Sequence, residues 1–305
     1  MNTDVIHEFG SQEDWNESFY FNFYDRGQDI CGFMRIGLKP NKKEKNVFCY
    51  LMMPSGHIYG LMGSAPMENN DLEALGLKFT MVEDEKAWKL SFDGELLDAH
   101  KEGEKEKVHF ELDWTSLNPV FDYRESVGSE KEKAAQAVAS EHLEQYGKAS
   151  GRITLGNKLY DLTALGERDH SWGVREWGAA LKWLWMTSQF GEDLALNITK
   201  VWMDERTVID AGFIHEDGKN RPIVRVDLVI EETERGSPAY VYMAVYDKDG
   251  EVLGVKAKVE RCAQLAFPGK DGKVVARMHE CLSRFTVSDG DDVGFGIVEY
   301  LHRRR

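Results

Sequence analysis

AYVYMAVYDKDGEVLGVKAKVE, residues 239–260, decides the fold class of this chain. Tyrosines and aliphatic residues recur there at every second position, which is the period of a β-strand with two distinct faces. The Asp249-Gly250 dipeptide between the two runs supplies the positive φ angles of a tight turn. The stretch therefore predicts a hairpin of two antiparallel strands.

The same period of two recurs through most of the chain. The runs in the first half are SFYFNFYD (18–25), VFCYLMM (47–53), HIYGLMG (57–63), KLSFDGEL (89–96) and VHFELDW (108–114). Those in the second half are GRITLGNKLYDL (151–162), LKWLWMTSQF (181–190), LALNITKVW (194–202), VIDAGFIHEDG (208–218), IVRVDLVIEE (223–232) and FGIVEYLH (295–302). Frequent strands separated by turn dipeptides predict an all-β protein of antiparallel barrels or sandwiches.

One segment departs from this pattern and marks the expected domain boundary. SEKEKAAQAVASEHLEQYG, residues 129–147, is rich in alanine and has Ser129 and Gly147 in positions that cap a helix. A length of 305 residues is twice the ~150 expected for one domain. We predict a β domain over 1–128, a connecting helix over 129–147 and a second β domain over 148–305. A further helical turn is expected at 69–76.

Composition and charge exclude several classes of function. A formal net charge of −15 argues against nucleic-acid binding, which needs a basic surface. The sequence has no apolar run of the ~18 residues needed to cross a bilayer and no charged-then-apolar leader, so we expect a cytoplasmic protein without stable membrane insertion. The four cysteines lack metal-binding spacing and are expected to be reduced. Nucleotide and metal motifs are absent, and we expect neither a cofactor nor a metal.

GERDHSWGVREW, residues 166–177, combines charged and aromatic residues at unusual density. If residues 168–173 are extended, His170 and Trp172 share one face of the strand and Asp169 points to the other. A single histidine among aromatic residues is more often a hydrogen-bonded core residue than a catalyst. Arg168 and Asp169 suit either a salt bridge that holds the turn or, for Asp169, a role in orienting the imidazole.

The strand that follows, LKWLWMTSQF, repeats the arrangement. Trp183, Trp185, Thr187 and Gln189 share one face, and alignment of this face with that of His170 and Trp172 would create an aromatic pocket wall. Filling of a barrel core is the alternative for the tryptophans.

The central motif resembles the RDHSWG-type signature of the AttH-like family, which includes carotenoid 1,2-hydratase (hydroxyneurosporene synthase). Weaker landmarks are NESFYFNFYD (16–25), RIGLKPN (35–41), EHLEQYGKASGRITL (141–155) and GFGIVEYLHR (294–303). The resemblance spans nearly the whole chain. It implies two lipocalin-like barrel domains, the motif lying in the C-terminal one, and an apolar cavity suited to isoprenoid or other lipidic molecules.

The hydratases of this family add water to an alkene without metal or nucleotide, and the resemblance implies similar chemistry here. His170, assisted by Asp169, is the candidate proton donor, and Trp172, Trp183 and Trp185 are candidate stabilisers of the carbocation. Gln189 is the candidate for holding the attacking water. Only the His170 and Trp172 pair matches the family pattern, and Asp210, Asp227 and Asp247 are candidates for its further acid.

Residues at the end of the chain complete the expected cavity. Glu299 and Tyr300 lie on the closing strand, where an inward Glu299 would face the same cavity as His170. A salt bridge from Glu299 to Arg168 or Arg175 is the alternative that we prefer. We count Arg168, Glu299 and Tyr300 among the candidate substrate-binding residues.

Three hypotheses about function follow. The first is a cofactor-independent hydratase or isomerase that protonates an isoprenoid-like substrate. The second is a carrier of a hydrophobic small molecule, and the third is a cyclase whose cavity shapes its substrate. The sequence leaves open whether the chain forms a homodimer.

Overall fold

A computed structural model of the protein describes residues 3–127, 141–174, 180–268, 273–288 and 290–303. Almost all regular structure in these ranges is β-strand, and the described helical segments are short 3-10 turns at Pro40–Lys42 and Tyr123–Glu125. The predicted all-β class is confirmed. Within the described residues, no helix is long and apolar enough to cross a membrane.

The strands, in chain order, fall into two sets. Those up to residue 174 are β1 (Trp15–Asp25), β2 (Ile30–Lys39), β3 (Glu44–Met52), β4 (Ile58–Pro66), β5 (Glu73–Ala74), β6 (Leu77–Glu83), β7 (Ala87–Asp98), β8 (Lys105–Ser116), β9 (Phe121–Asp122), β10 (Glu141–Leu155) and β11 (Lys158–Val174). The later strands are β12 (Lys182–Gln189), β13 (Leu194–Trp202), β14 (Val208–Glu216), β15 (Lys219–Glu232), β16 (Pro238–Asp247), β17 (Val252–Pro268), β18 (Val274–Val287) and β19 (Val293–Arg303).

The chain divides into two compact units, one of Met1–Val120 with Glu141–Arg175 and one of Phe121–Ser140 with Glu176–Arg305. In the first unit the strand order is β4-β3-β2-β1-β11-β10-β8-β7-β6-β5, and an additional pairing of β4 with β7 completes a ring of eight strands. Phe19, Phe21 and Phe23 of β1 enter its core, where Phe21 contacts the rings of Trp88 and Trp114.

The second unit is a closed barrel of eight consecutive strands, β12 to β19. Its core takes alternate residues from each strand, such as Leu184 and Met186 from β12. On the side of the barrel strands that faces away from this core, Phe121 covers part of β14. Its ring centroid lies 5.1 Å from that of Phe213. Antiparallel strands joined by tight turns close into a barrel without leaving exposed edges.

The first unit contains two strands that the sequence analysis assigned elsewhere. Residues 141–147 are predicted as the end of the connecting helix, but they form the beginning of β10. This strand pairs with β11 from Glu141↔Trp172 to Leu155↔Lys158. The helix prediction is wrong for these residues, because EHLEQYG alternates between the two faces of a sheet; residues 129–140 lie outside the described ranges. The central motif, in β11, consequently belongs to the first unit and not to a domain of residues 148–305.

Two smaller expectations also fail. Residues 69–76 contain strand β5, which pairs with β6, in place of a helical turn. Cys262 and Cys281, expected to be reduced, are directly opposed on β17 and β18 and form a disulfide. Cys31 and Cys49 are buried thiols, and burial raises the pKa of Cys49.

Candidate functional site

Strand β11 places residues of the central motif alternately on its two faces. Across the sheet, Phe19 of β1 is the partner of His170, and Glu17 is the partner of Trp172. Phe19 belongs to the core of the first unit, so Glu17, His170 and Trp172 lie on the core side of the sheet. Asp169 lies on the opposite side, as the alternation predicted.

Glu17 is a buried carboxylate that holds two imidazoles. His7 Nδ1 donates to Glu17 Oε1 at 2.8 Å, and the backbone N–H of His7 donates to Oε2 at 3.0 Å. Nε2 of His170 lies 2.9 Å from the same Oε1. We call His7, Glu17 and His170 the core-side cluster. A buried carboxylate is stabilised by hydrogen bonds of this kind, and its presence on a phenylalanine-rich face indicates a specific role.

His170 is fully buried, and both of its ring nitrogens are engaged. Nδ1 lies 2.8 Å from the carbonyl oxygen of Thr3, which only accepts, so Nδ1 is the donor. Burial lowers the pKa of His170, and the hydrogen bond with Glu17 opposes this effect only in part. The ring also stacks on Phe19, with centroids 3.9 Å apart. His170 therefore has the surroundings of an imidazole fixed in place by the core.

His7 is the accessible member of the core-side cluster. Its side chain is 25% exposed, and its ring is stacked on Trp172 with centroids 3.8 Å apart and planes at 10°. Because Glu17 accepts the hydrogen of Nδ1, the other ring nitrogen of His7 is left to exchange a proton with a bound molecule. A carboxylate that orients an exposed imidazole is an arrangement suited to general acid–base chemistry.

The opposite face of β11 carries a second group, which we call the opposite-face cluster: His142, Glu144 and Asp169. His142 Nε2 lies 2.9 Å from Glu144 Oε1 and 3.1 Å from Asp169 Oδ2. Burial disfavours the charged imidazole, but the two carboxylates outweigh it and raise the pKa of His142 to about 10. Asp169 thus pairs with His142, and the expected assistance of His170 by Asp169 is not found because they point to opposite faces.

Arg168 is a structural residue of the core-side face. Its guanidinium donates to Asp4 Oδ1 and to Gln145 Oε1, each at 2.8 Å, and the side chains of both Arg168 and Asp4 are buried. The expected salt bridge with Asp169 is absent from these described contacts, since adjacent strand residues face opposite ways. The bond to Asp4 anchors the segment that supplies Thr3 and His7.

The remaining candidate residues lie in the second unit. β11 pairs with β1 and β10, whereas β12 pairs with β13 and β19, so the expected pairing of the motif strand with LKWLWMTSQF is wrong. Leu184 and Met186 point into the barrel core, and Trp183, Trp185 and Gln189 therefore lie on the other face of β12. Trp183 Nε1 donates to Glu299, and Gln189 donates to Thr187.

Tyr300 is separated from Glu299 by the alternation of β19. Tyr300 belongs to the barrel core and donates from its hydroxyl to Glu232 Oε1 at 2.7 Å. Burial raises the pKa of Tyr300, and the hydrogen bond to Glu232 adds to this. Of the two alternative partners of Glu299, Arg168 binds Asp4 in the first unit, and Arg175 lies outside the described residues.

The three acids proposed as a further catalytic group each have a basic partner in the second unit. Asp210 accepts from Lys200 at 2.7 Å, Asp227 from Arg225, and Asp247 from Arg221. Among the described residues, the hydrogen-bond partners of the His170 ring are Thr3 and Glu17, and none of these three carboxylates is one of them.

A cavity of about 480 Å³ opens in the second unit beside the barrel core. Its lining residues are Lys182, Lys200, Trp202, Val226, Asp227, Leu228, Ile230 and Glu232. The ammonium group of Lys182 lies 4.2 Å from the centroid of the Trp202 ring. The cavity is lined mostly by polar surface, to which Trp202, Leu228 and Ile230 add apolar side chains, and it is large enough for a small ligand.

Sequence reasoning missed four residues of the two clusters: His7, Glu17, His142 and Glu144. Glu17 carried a signal, since it precedes Phe19, Phe21 and Phe23 in the same register of β1 and so had to be a charge on an apolar face. His142 and Glu144 were hidden by the helix prediction. His7 precedes the first strand and has no periodic context.

Comparisons with known proteins agree with this architecture. A crystal structure of AttH (NE1406) from Nitrosomonas europaea has a TM-score of 0.67 at 14% identity, covering 94% of this chain and 92% of that chain. Kievitone hydratase from Nectria haematococca has a TM-score of 0.65 at 10% identity, with 93% and 88% covered. CghA has a TM-score of 0.60 at 10% identity, with 99% and 93% covered.

At these identities the structures establish a shared fold and no more, and the expected AttH-like resemblance is confirmed at that level. No curated protein sequence matches the chain. The family described as "Domain of unknown function (DUF7064)" matches residues 1–304. Since the match spans almost the whole sequence, the chain belongs to the DUF7064 family and has the AttH-like fold.

Proposed function

We propose that this protein is an acid–base enzyme acting on a hydrophobic small molecule, with His7 as the residue that transfers the proton. The observation that carries the proposal is the buried Glu17 carboxylate, which binds both His7 and His170. Glu17 orients His7, while His170 holds Glu17 in place from the core. Trp172 stacks on the imidazole of His7 and fixes the plane of the ring.

This assignment moves the proton transfer from His170, the residue favoured by the motif, to His7. His170 is fully buried and would have to give up its bond to Thr3 or Glu17 to reach a substrate. His7 is partly exposed and keeps one ring nitrogen for that purpose. The core-side cluster therefore supports catalysis at its exposed end.

The reaction class that fits is hydration or isomerisation of an isoprenoid-like alkene. His7 Nε2–H donates its proton to one alkene carbon, and the π electrons form the new C–H bond and leave a carbocation on the other carbon. Water then adds to the cation and gives a proton back to His7 Nε2, or His7 Nε2 takes a proton from a carbon next to the cation and the isomer forms. The likeness in fold to a structure named kievitone hydratase supports this class of chemistry.

The test follows deuterium from solvent into carbon. Protein in D2O is incubated with a panel of acyclic isoprenoids and prenylated phenols, and mass spectrometry detects new C–D bonds. We expect His7→Gln to lower the rate of deuterium incorporation by about 10²–10⁴-fold while apolar ligands still bind. His100→Gln, which alters a histidine that is about half exposed on the same unit, is the matched control and should keep the wild-type rate.

Equal rates in the wild type and His7→Gln would contradict the proposal. Recovery of every panel member unchanged, together with tight binding, would favour a carrier. The carrier is the second candidate function, and the 480 Å³ cavity in the second unit is the observation that favours it. In that case substitution of Trp202 would weaken ligand binding and His7→Gln would not.

A further inference from the structure

The opposite-face cluster offers ligand chemistry that the proposed function does not use. His142 and Glu144 are two positions apart on β10, so their side chains share one face, and Asp169 is the direct cross-strand partner of Glu144. The Glu144 side chain is fully buried, and those of His142 and Asp169 are each 14% exposed. Two adjacent strands thus present one imidazole and two carboxylates to a single point.

The distances within this cluster match those between neighbouring ligands of one metal ion. His142 Nε2 is 2.9 Å from Glu144 Oε1 and 3.1 Å from Asp169 Oδ2. Ligand atoms that bind one ion at about 2.1–2.2 Å and at right angles to each other are about 3.0 Å apart. One oxygen of each carboxylate and the nitrogen lie within 4.8 Å of one another, a grouping that could hold one metal ion.

The charge of the cluster also favours a divalent cation. Glu144 and Asp169 place two carboxylates beside one imidazole in a mostly buried place. A divalent ion bound by these three side chains would have a charge equal and opposite to that of the two carboxylates. The mixed set of one nitrogen and two carboxylate oxygens suits ions such as Mn²⁺, Fe²⁺ and Zn²⁺.

We propose that His142, Glu144 and Asp169 form a binding site for a divalent transition-metal ion on the face of β11 opposite the core-side cluster. The described residues supply three ligands, and further coordination positions of such an ion could be taken by water. This inference is separate from the proposed function, since it uses none of the residues of the core-side cluster.

Two other groups of described residues bring histidine and carboxylate atoms within the same 4.8 Å. One is the core-side cluster. The other consists of His57, Asp98 and His100, whose two histidine side chains are 31% and 52% exposed. That group is the internal control, because it lies on the same unit and has one buried carboxylate, Asp98, with two more-exposed histidines in place of two carboxylates with one histidine.

The test uses Mn²⁺ as the probe on full-length protein freed of metal with EDTA. Free Mn²⁺ gives a sharp electron paramagnetic resonance signal, which is lost on binding, so a titration counts sites and measures affinity. We expect one strong site in the wild type and in His100→Gln. Asp169→Asn and Glu144→Gln, each near-isosteric, should weaken it by at least tenfold, and a rise in unfolding temperature with Mn²⁺ should disappear with it.

Absence of Mn²⁺ and Zn²⁺ binding by the wild type would overturn the proposal. Unchanged affinity in both Asp169→Asn and Glu144→Gln would also overturn it, as would loss of the site in His100→Gln. Circular dichroism checks folding, and if one carboxylate variant does not fold, the other still decides. Deuterium incorporation that depends on His7 but not on Mn²⁺ keeps this test distinct from that of the proposed function.

Discussion

The two faces of β11 carry histidine clusters of opposite composition. On the core side, one carboxylate, Glu17, serves two imidazoles, and burial lowers the pKa of His170. On the opposite face, two carboxylates flank one imidazole, and the pKa of His142 rises to about 10. The side chains of His142 and His170 are both largely buried, so the difference comes from the charges around each ring. His142 has two carboxylates beside it, whereas the effect of Glu17 on His170 is opposed by the positive charge of Arg168.

We propose different roles for the two clusters, proton transfer on the core side and cation binding on the opposite face. The core-side cluster has one carboxylate, Glu17, and one partly exposed ring, His7. The opposite-face cluster retains positive charge, whether as a proton or as a metal ion. The predictions below change one cluster at a time, beginning with the largest expected effect.

Asp4→Asn should have the largest effect on stability, and it acts on the core-side cluster. The change leaves the buried Arg168 guanidinium without its ion-pair partner and releases the segment that supplies Thr3 and His7. We expect a loss of about 3–5 kcal/mol in the free energy of unfolding, measured by urea denaturation. A smaller loss of unfolding free energy than that caused by Asp169→Asn would show that the Arg168–Asp4 ion pair contributes less to stability than the opposite-face cluster does.

Glu17→Gln should remove the shared acceptor of the core-side cluster. The amide lacks the negative charge of the carboxylate, and its NH2 group would replace Oε2, the acceptor of the His7 backbone N–H. We therefore expect a loss of about 1–3 kcal/mol in unfolding free energy and loss of deuterium incorporation. The His7 ring should also become more mobile relative to Trp172, and a change in the fluorescence of Trp172 would report this. Retention of the full reaction rate would mean that Glu17 does not orient His7.

His142→Gln should change how stability depends on pH. Because the pKa of His142 is raised in the folded state from 6.5 to about 10, its contribution is fully present below about pH 6.5 and is lost as pH rises through about 10. The difference in unfolding free energy between wild type and variant, measured on metal-free protein, should therefore shrink with increasing pH over this window. A difference that stays constant would contradict the raised pKa.

Phe19→Leu should have the smallest effect of the series. It removes the ring stacked on His170 while keeping an apolar side chain in the core. The stacking accounts for about 0.5–1.5 kcal/mol beyond the buried area, and the change in unfolding free energy should not greatly exceed that range. His100→Gln serves as the reference and should lie within about 0.5 kcal/mol of wild type.

The sequence predicts the faces of the strands better than their partners. Alternation alone places His170 and Trp172 on one side of β11 and Asp169 on the other, as found. The partner strands of β11 are β1 and β10, and β1 is so far away in sequence that no local pattern identifies it as a partner. The sequence therefore favours pairing of β11 with the next strand in the chain, β12, which belongs to the other unit.

The clusters themselves depend on that long-range pairing. His170 meets Glu17 because β1 pairs with β11, and Asp169 meets His142 because β10 does. The helix predicted over 129–147 concealed β10, since an alanine-rich run precedes EHLEQYG and favours a helix by local propensity. Tertiary pairing prevailed over that propensity in residues 141–147.

The central claim is that β11 carries two clusters with opposite affinity for protons, and nitrogen-15 NMR of the histidine rings tests it most directly. The spectra are taken on metal-free protein with assigned imidazole signals. At about pH 8 we predict that both ring nitrogens of His142 show the shifts of an imidazolium and that Nδ1 of His170 carries a hydrogen, and on raising the pH we predict that His170 loses its charge before His142 does. A neutral His142 at about pH 8, or a His170 that keeps its charge to a higher pH than His142, would contradict the account.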